Sequence, residues 1–211
     1  MADDHPTLSS ALPQSVAEAL RDAVTGLHDW GAIVVAGFPA SGKSTAAAYL
    51  ADVLGAPVLD KDRFAPVLEE SVMQTLTGDP HDRDSETYRT LVGPGIYDGL
   101  IRTGLTVAAT HPVVLDAPFL STIRQAAARE MPLSDHLRDY TGLAESVPLV
   151  TIWLDATAPL IRARMIARGA ERDAPKLANW ETYRTEVLDS GVRALAHTFC
   201  DHVIATSPAA G

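Results

Sequence analysis

The nine residues Gly37-Phe38-Pro39-Ala40-Ser41-Gly42-Lys43-Ser44-Thr45 carry the side chains and spacing best suited to chemistry in this chain. They read G-x-x-x-x-G-K-S, the Walker A spacing. Glycines relax the steric limits on the backbone, so successive N–H groups can converge on one anion. A lysine at this place reaches the β- and γ-phosphates of a nucleoside triphosphate, and the Ser44 hydroxyl suits Mg²⁺. Gly37, Ala40, Ser41, Gly42, Lys43, Ser44 and Thr45 are therefore the expected nucleotide contacts. A helix starting near Gly42 would add its positive dipole to the same anion.

Two groups of acids follow. Asp60 and Asp62 close the run Pro57-Val58-Leu59, and being two apart they point the same way in an extended chain. Acids at the carboxyl end of a parallel strand sit where open α/β sheets bind ligands. One of the pair could accept a proton from an attacking hydroxyl, and the other could orient Lys61 or a metal-bound water. The plainer alternative is a helix cap, for which Asp60 is the better placed of the two. Asp116 ends Val113-Val114-Leu115, a Walker-B-like position from which a carboxylate reaches Mg²⁺ directly or through water.

A third group is basic. Arg162, Arg164, Arg168, Arg172 and Lys176 fall within 15 residues. Arg164 and Arg168 lie four apart on one helical face and could clamp a triphosphate. The plainer reading is a solvated helix. Gly169-Ala170 and Asp173-Ala174-Pro175 give residues 162–176 the character of a lid.

Elements able to position these groups can be read around them. Residues 32–36 are short, apolar and β-branched, as a strand buried on both faces should be. Ala46 to Leu54 is a strong helix former stopped by Gly55. Further strands are expected at 57–60, 113–116, 149–155 and 202–206. A helix over Gln14–His28 has Val16, Leu20, Val24 and Leu27 on one face and should pack on the sheet. Residues 65–112 read as helical with breaks at Gly78-Asp79-Pro80 and at Gly93-Pro94-Gly95. The cluster His81-Asp82-Arg83-Asp84-Ser85 is either a substrate-facing loop with Arg83 as an anion clamp or a solvated cap. Phe119 either lines a substrate pocket or covers the core. Helices are expected at 121–131, 134–140, 160–168 and 179–191, with Trp180 and Tyr183 packing inside. Thr206 and Ser207 are candidates for the nucleobase side.

The whole chain narrows the classes. Its 211 residues suit one α/β domain, with 1–13 a loose tail. A net charge of −10 argues against nucleic acid or anionic membrane as a partner. The single cysteine, Cys200, allows no internal disulfide and fits a reducing cytoplasm. No apolar run approaches the ~20 residues that span a bilayer. Cys200, His197 and His202 lack zinc-site spacing. Asp139-Tyr140-Thr141-Gly142 spells a GTPase switch but follows no strand end, and is read as coincidence.

GFPASGKST (37–45), LDKDRF (59–64) and LDATAPLIRARMIARG (154–169) together resemble the P-loop kinases of the polynucleotide kinase, zeta toxin and chloramphenicol phosphotransferase group. The resemblance covers about residues 30–207 and is closest to actinobacterial AAA-type ATP-binding proteins. It implies a three-layer α/β fold with five parallel strands in the order 2-3-1-4-5, helices on both faces and a helical lid. It implies Asp62 as general base, Arg164 and Arg168 as lid arginines on the phosphates, and ATP with Mg²⁺. Residues 65–112 and 119–146 would be the variable acceptor regions, with Asp60, Arg63, Arg83 and Phe119 as candidate contacts. The expected activity is transfer of the γ-phosphoryl group to a hydroxyl of a small molecule such as an antibiotic, nucleoside or sugar. A polynucleotide 5′-hydroxyl kinase and a non-catalytic nucleotide switch or toxin-like protein are the rivals.

Overall fold

Period-2 alternation along three central strands builds two cores at once. In β1 (Gly31–Ala36) every residue is buried. Ala32, Val34 and Ala36 face one apolar layer, and Ile33 and Val35 face the other. The same split divides Val113 and Leu115 from Val114 in β3 (Pro112–Asp116), and Trp153 from Ile152 and Leu154 in β4 (Leu149–Asp155). A strand apolar on both faces must be covered on both, and each fully buried Val, Leu or Ile contributes roughly 1.5–3 kcal/mol. With β2 (Val58–Asp60) and β5 (His202–Ala205) the sheet has five parallel strands in the order β2-β3-β1-β4-β5.

The computed structural model describes residues 12–27, 29–83 and 85–206. Residues 1–11 of the expected tail, His28, Asp84 and Ser207 lie outside them.

Helices α1 (Gln14–Ala23) and α2 (Lys43–Leu54) cover the face of Ile33 and Val35. Val16, Leu20, Val24 and Leu27 are buried there, so this segment packs on the sheet as its periodicity implies. Its helix ends at Ala23, five residues before His28. On the opposite face lie α5 (Gly93–Ala108), α6 (Leu120–Ala128), α7 (Leu133–Thr141), α8 (Ala158–Arg168) and α11 (Val192–Phe199). Among the described residues no helix is long and apolar enough to cross a membrane.

One expected break does not occur. Residues 86–108 run on as helix through Gly93-Pro94-Gly95. A π turn at Tyr88–Val92 precedes the proline, with the Gly93 N–H donating to the Tyr88 carbonyl. Pro94 then falls in the first turn of α5, where an N–H has no intrahelical partner to lose. Between β2 and this helix come α3 (Lys61–Phe64) and α4 (Pro66–Thr77). Residues 179–191 are also less regular than expected. They form α10 (Trp180–Tyr183) and a π turn at Arg184–Leu188, the short α9 (Ala174–Ala178) preceding them. Trp180 and Tyr183 pack into the core.

Candidate active site

The strand order puts the phosphate loop at the carboxyl end of the middle strand, where connections leave to opposite sides of the sheet. That is the place where open parallel sheets bind ligands. Gly37 has φ 150, and a Cβ there would come 2.6 Å from Ser41 Oγ and 2.8 Å from the Leu154 carbonyl. Gly42, at φ 104, caps α2 in a left-handed conformation that side chains rarely adopt. Both glycines are therefore demanded by the shape of the loop. Ser41 is fully buried, and its Oγ has no hydrogen-bond partner among the described residues.

Lys43, 8% exposed, turns its ammonium into the loop and donates to the Phe38 carbonyl at 2.8 Å. Burial pushes its pKa down to about 8, against the pull of Asp116 and then Asp62, which favour the charged form. Asp116 is 4% exposed and accepts a hydrogen bond from Ser44. Burial raises its pKa, and the nearby Lys43 and the Ser44 hydrogen bond only partly oppose that. The register pairs Asp60 with Asp116, so both acids stand level at the edge of the sheet.

Asp60 is the helix cap. Its Oδ1 accepts from the Asp62 N–H at 2.8 Å and starts α3. Asp62 is left with its carboxylate directed at the cleft, 3.6 Å from Lys61 Nζ and hydrogen-bonded to Arg172. Burial would raise its pKa, but Lys61 and Arg172 outweigh that and hold the carboxyl below the usual aspartate range.

Arg168 and Arg164 part company, although they share a helical face. Arg168 pairs with both carboxylate oxygens of Asp173 at 2.8 Å. Arg164 Nη1 donates to the Ser41 carbonyl at 2.6 Å and to Thr206 Oγ1 at 3.3 Å. Thr206 in turn donates to the Ser41 carbonyl at 3.1 Å. Arg164 thus braces the phosphate loop against the chain leaving β5, and the sequence-based assignment of it to the phosphates misses this contact. Tertiary contact with the loop carbonyls is what separates the two arginines.

These groups border one cleft of about 1210 Å³, lined among others by Lys43, Ser44, Asp62, Asp116, Arg83 and Arg168. Phe119 and Arg63 do not line it. Phe119 is fully buried against Tyr97, with ring centroids 5.7 Å apart. Arg63 points to solvent and lies only 3.9 Å from its neighbour Asp60. The choice left open by the sequence thus falls to the core for Phe119, because its apolar ring is worth most where no water reaches it.

Sequence reasoning missed a buried acid that gathers three side chains, two cations and a tyrosine, of the cleft lining. Glu69, on α4, is 1% exposed. It accepts from Lys61 Nζ at 2.7 Å, from Arg83 Nη2 at 3.0 Å and from the Tyr88 hydroxyl. No local pattern marks it, since its partners lie eight, 14 and 19 residues away.

The donor set suits a phosphate chain with Mg²⁺. The buried Ser41 Oγ, the loop glycines and Lys43 are of the type that surrounds phosphates. Ser44 and Asp116 place two hard oxygen donors side by side, the type Mg²⁺ prefers. Among the described residues no group of three His, Cys, Asp or Glu side chains gathers to hold a metal. Phosphate and water oxygens would therefore complete such a site.

The five parallel strands thus stand in the order β2-β3-β1-β4-β5, with the phosphate loop leaving the middle strand. The chain belongs to the AAA domain family, whose profile matches residues 33–187. It is 27% identical over 190 residues to uncharacterized proteins of Mycobacterium tuberculosis and Mycobacterium bovis, covering 82% of this chain and 36% of each relative. It therefore spans about a third of the length of the curated relatives it matches. A gluconokinase from Sinorhizobium meliloti 1021 has a similar fold, with TM-score 0.46, 19% identity and coverage of 86% of this chain and 85% of that one. So does a shikimate kinase from Bacteroides thetaiotaomicron, with TM-score 0.49, 12% identity and coverage of 83% and 86%. A deoxyadenosine kinase from M. mycoides gives TM-score 0.49, 14% identity and coverage of 83% and 90%.

Proposed function

We propose that this chain is an ATP-dependent phosphotransferase that moves the γ-phosphoryl group to a hydroxyl of a small molecule. One observation carries the reading. Asp62 stands in the same cleft as the phosphate loop, within electrostatic reach of Lys43, with its carboxylate kept ionised by Lys61 and Arg172.

ATP would lie with its phosphates along residues 37–45 and its base toward Thr206, beside the guanidinium of Arg164. Mg²⁺, held by Ser44 and Asp116, would neutralise phosphate charge and fix the phosphate geometry. Asp62 would accept the proton of the acceptor hydroxyl as that oxygen attacks in line. Lys43 and Arg168 would offset charge spreading over the transferring oxygens, and Arg164 would hold the loop that presents them. In phosphoryl transfer such positioning and electrostatic stabilisation outweigh covalent assistance. The acidic balance of the chain favours a small molecule over a polynucleotide as acceptor.

The test is ADP release from ATP and Mg²⁺ across a panel of hydroxylated compounds. Acceptor-stimulated release supports the reading. Slow hydrolysis that no acceptor stimulates would favour a nucleotide-binding switch instead.

A further inference from the structure

We infer that Glu69 is a positioning residue for the proposed base: it holds the Lys61 ammonium off Asp62, so that this carboxylate stays ionised without being locked into a direct ion pair. This rests on the phosphotransferase reading, in which Asp62 takes the proton of the acceptor hydroxyl.

Lys61 lies between two carboxylates and is bonded to one of them. Its side chain is 7% exposed, so its ammonium depends on partners within the protein. Nζ donates to Glu69 Oε1 at 2.7 Å and stands 3.6 Å from Asp62 Oδ1, beyond hydrogen-bond distance. Proximity in the chain does not make this choice, because Asp62 is the next residue and Glu69 is eight away. Burial does. The Glu69 side chain is 1% exposed against 41% for Asp62, and pairing is stronger where less water screens it. The Glu69 carboxylate is itself fixed by Arg83 Nη2, at 3.0 Å, and by the Tyr88 hydroxyl. The Tyr88 ring also packs against Lys61, its centroid 5.1 Å from Nζ.

The separation of 3.6 Å has a chemical consequence. A cation at that distance favours the ionised carboxylate, whereas one in direct contact would compete with an acceptor hydroxyl for Oδ1. Oδ2 is already engaged by Arg172, so the state of Oδ1 decides whether the base is usable. Arg83 and Lys43 also act on Asp62, and the acids Asp60 and Asp116 border the same cleft. Of these groups, Lys61 is the cation whose partner choice lies between the base and a second acid. Without the charge of Glu69, its next carboxylate is that of Asp62. Glu69 thus acts on the base through Lys61, with no contact to the reacting atoms.

The experiment compares Glu69→Gln, Lys61→Met and the double variant with the parent. A crystal structure of Glu69→Gln should show Lys61 Nζ drawn onto Asp62, within about 3.2 Å. With an acceptor from the ADP-release panel, Glu69→Gln should lower kcat roughly tenfold and leave KM for ATP unchanged, because a directly paired carboxylate is a weaker base. Glu69→Asp, which keeps the charge, should recover part of that loss. Lys61→Met removes a cation that holds Asp62 low, so the acid limb of kcat/KM should move to higher pH. In that background Glu69→Gln should add no further loss of kcat. Lys61→Gln serves the same purpose should Lys61→Met not fold. Lys61 remaining off Asp62 in Glu69→Gln, or an equal loss of kcat with and without Lys61, overturns the inference. If Lys61 moves onto Asp62 but no compound stimulates ADP release, the restraint by Glu69 stands and the phosphotransferase reading falls.

Discussion

The Arg172 guanidinium is hydrogen-bonded to the Asp62 carboxylate, joining the segment after α8 to α3 across 110 residues of sequence. In this conformation the proposed base and Arg172 neutralise one another in the cleft that the phosphate loop borders. Removing the arginine should therefore act on the base before it acts on the fold. Arg172→Ala takes away one of the three cations, Lys61, Arg172 and Arg83, that hold Asp62 low, so the acid limb of kcat/KM should move to higher pH. The side chains are 49% and 41% exposed, so stability should fall by less than about 1 kcal/mol. A pH–rate profile with a urea titration checks both, and an unmoved acid limb beside a large loss of stability would refute the account.

Binding and chemistry should separate cleanly between Lys43 and Asp62. Lys43→Ala removes the ammonium that donates to the Phe38 carbonyl within the loop and should abolish measurable nucleotide binding or turnover. Asp62→Asn keeps the shape of α3's first turn, because Asp60 supplies the cap. It should bind ATP as the parent does and lose at least ~10²-fold in rate, the usual scale for a general base. Wild-type turnover by Asp62→Asn would remove it from that role.

Lys43 also predicts a pH dependence. Burial lowers its pKa from 10.5 to about 8, so the folded protein disfavours the charged amine. The sign follows: between pH 8 and 10.5 the unfolded chain binds more protons than the folded one, and stability contributed by this group rises with pH. Nucleotide affinity runs the other way, because phosphate needs the charge. Above pH 8 the dissociation constant for ATP should climb by up to about tenfold per unit until the bound-state pKa is reached. Lys43→Arg, which keeps its charge throughout, should flatten the curve. A fluorescent-nucleotide titration from pH 7 to 9.5 decides it, and a flat wild-type profile would refute it.

Glu69 should matter for stability through the cations it holds. Glu69→Ala leaves Lys61 and Arg83 without their buried counter-charge and should cost about 3–5 kcal/mol by equilibrium denaturation. Glu69→Gln keeps hydrogen-bonding atoms of the same shape and should cost clearly less. Equal losses for the two variants would mean that packing, not charge, holds this corner.

The chemistry at the phosphate loop was legible in the sequence because it is local. Gly37, Gly42 and Lys43 do their work within nine residues, and the strand before them and the helix after them follow from β-branched and alanine-rich runs. The acids at strand ends were legible too, since a short apolar run ending in Asp marks the carboxyl edge of a buried strand. Even the capping role of Asp60 follows from its place just before a helix. The break expected at Gly93-Pro94-Gly95 failed because the π turn ends before Pro94, which then falls in the first turn of α5 where no intrahelical bond is lost.

What lay beyond the sequence was pairing at a distance. Arg164 and Arg168 look equivalent on a helical face, and only the approach of the loop carbonyls and of Asp173 tells them apart. Phe119 and Arg83 each had two readings, and burial sends one into the core and leaves the other on the cleft. Glu69 had none, since an acid in an amphipathic helix is ordinary until Lys61, Arg83 and Tyr88 converge on it. Backbone geometry and strand character are set by neighbours in the chain, so the sequence by itself determined the shape of the phosphate loop. The charge balance across the cleft depends on which side chains burial brings together, and that was decided only by the tertiary structure.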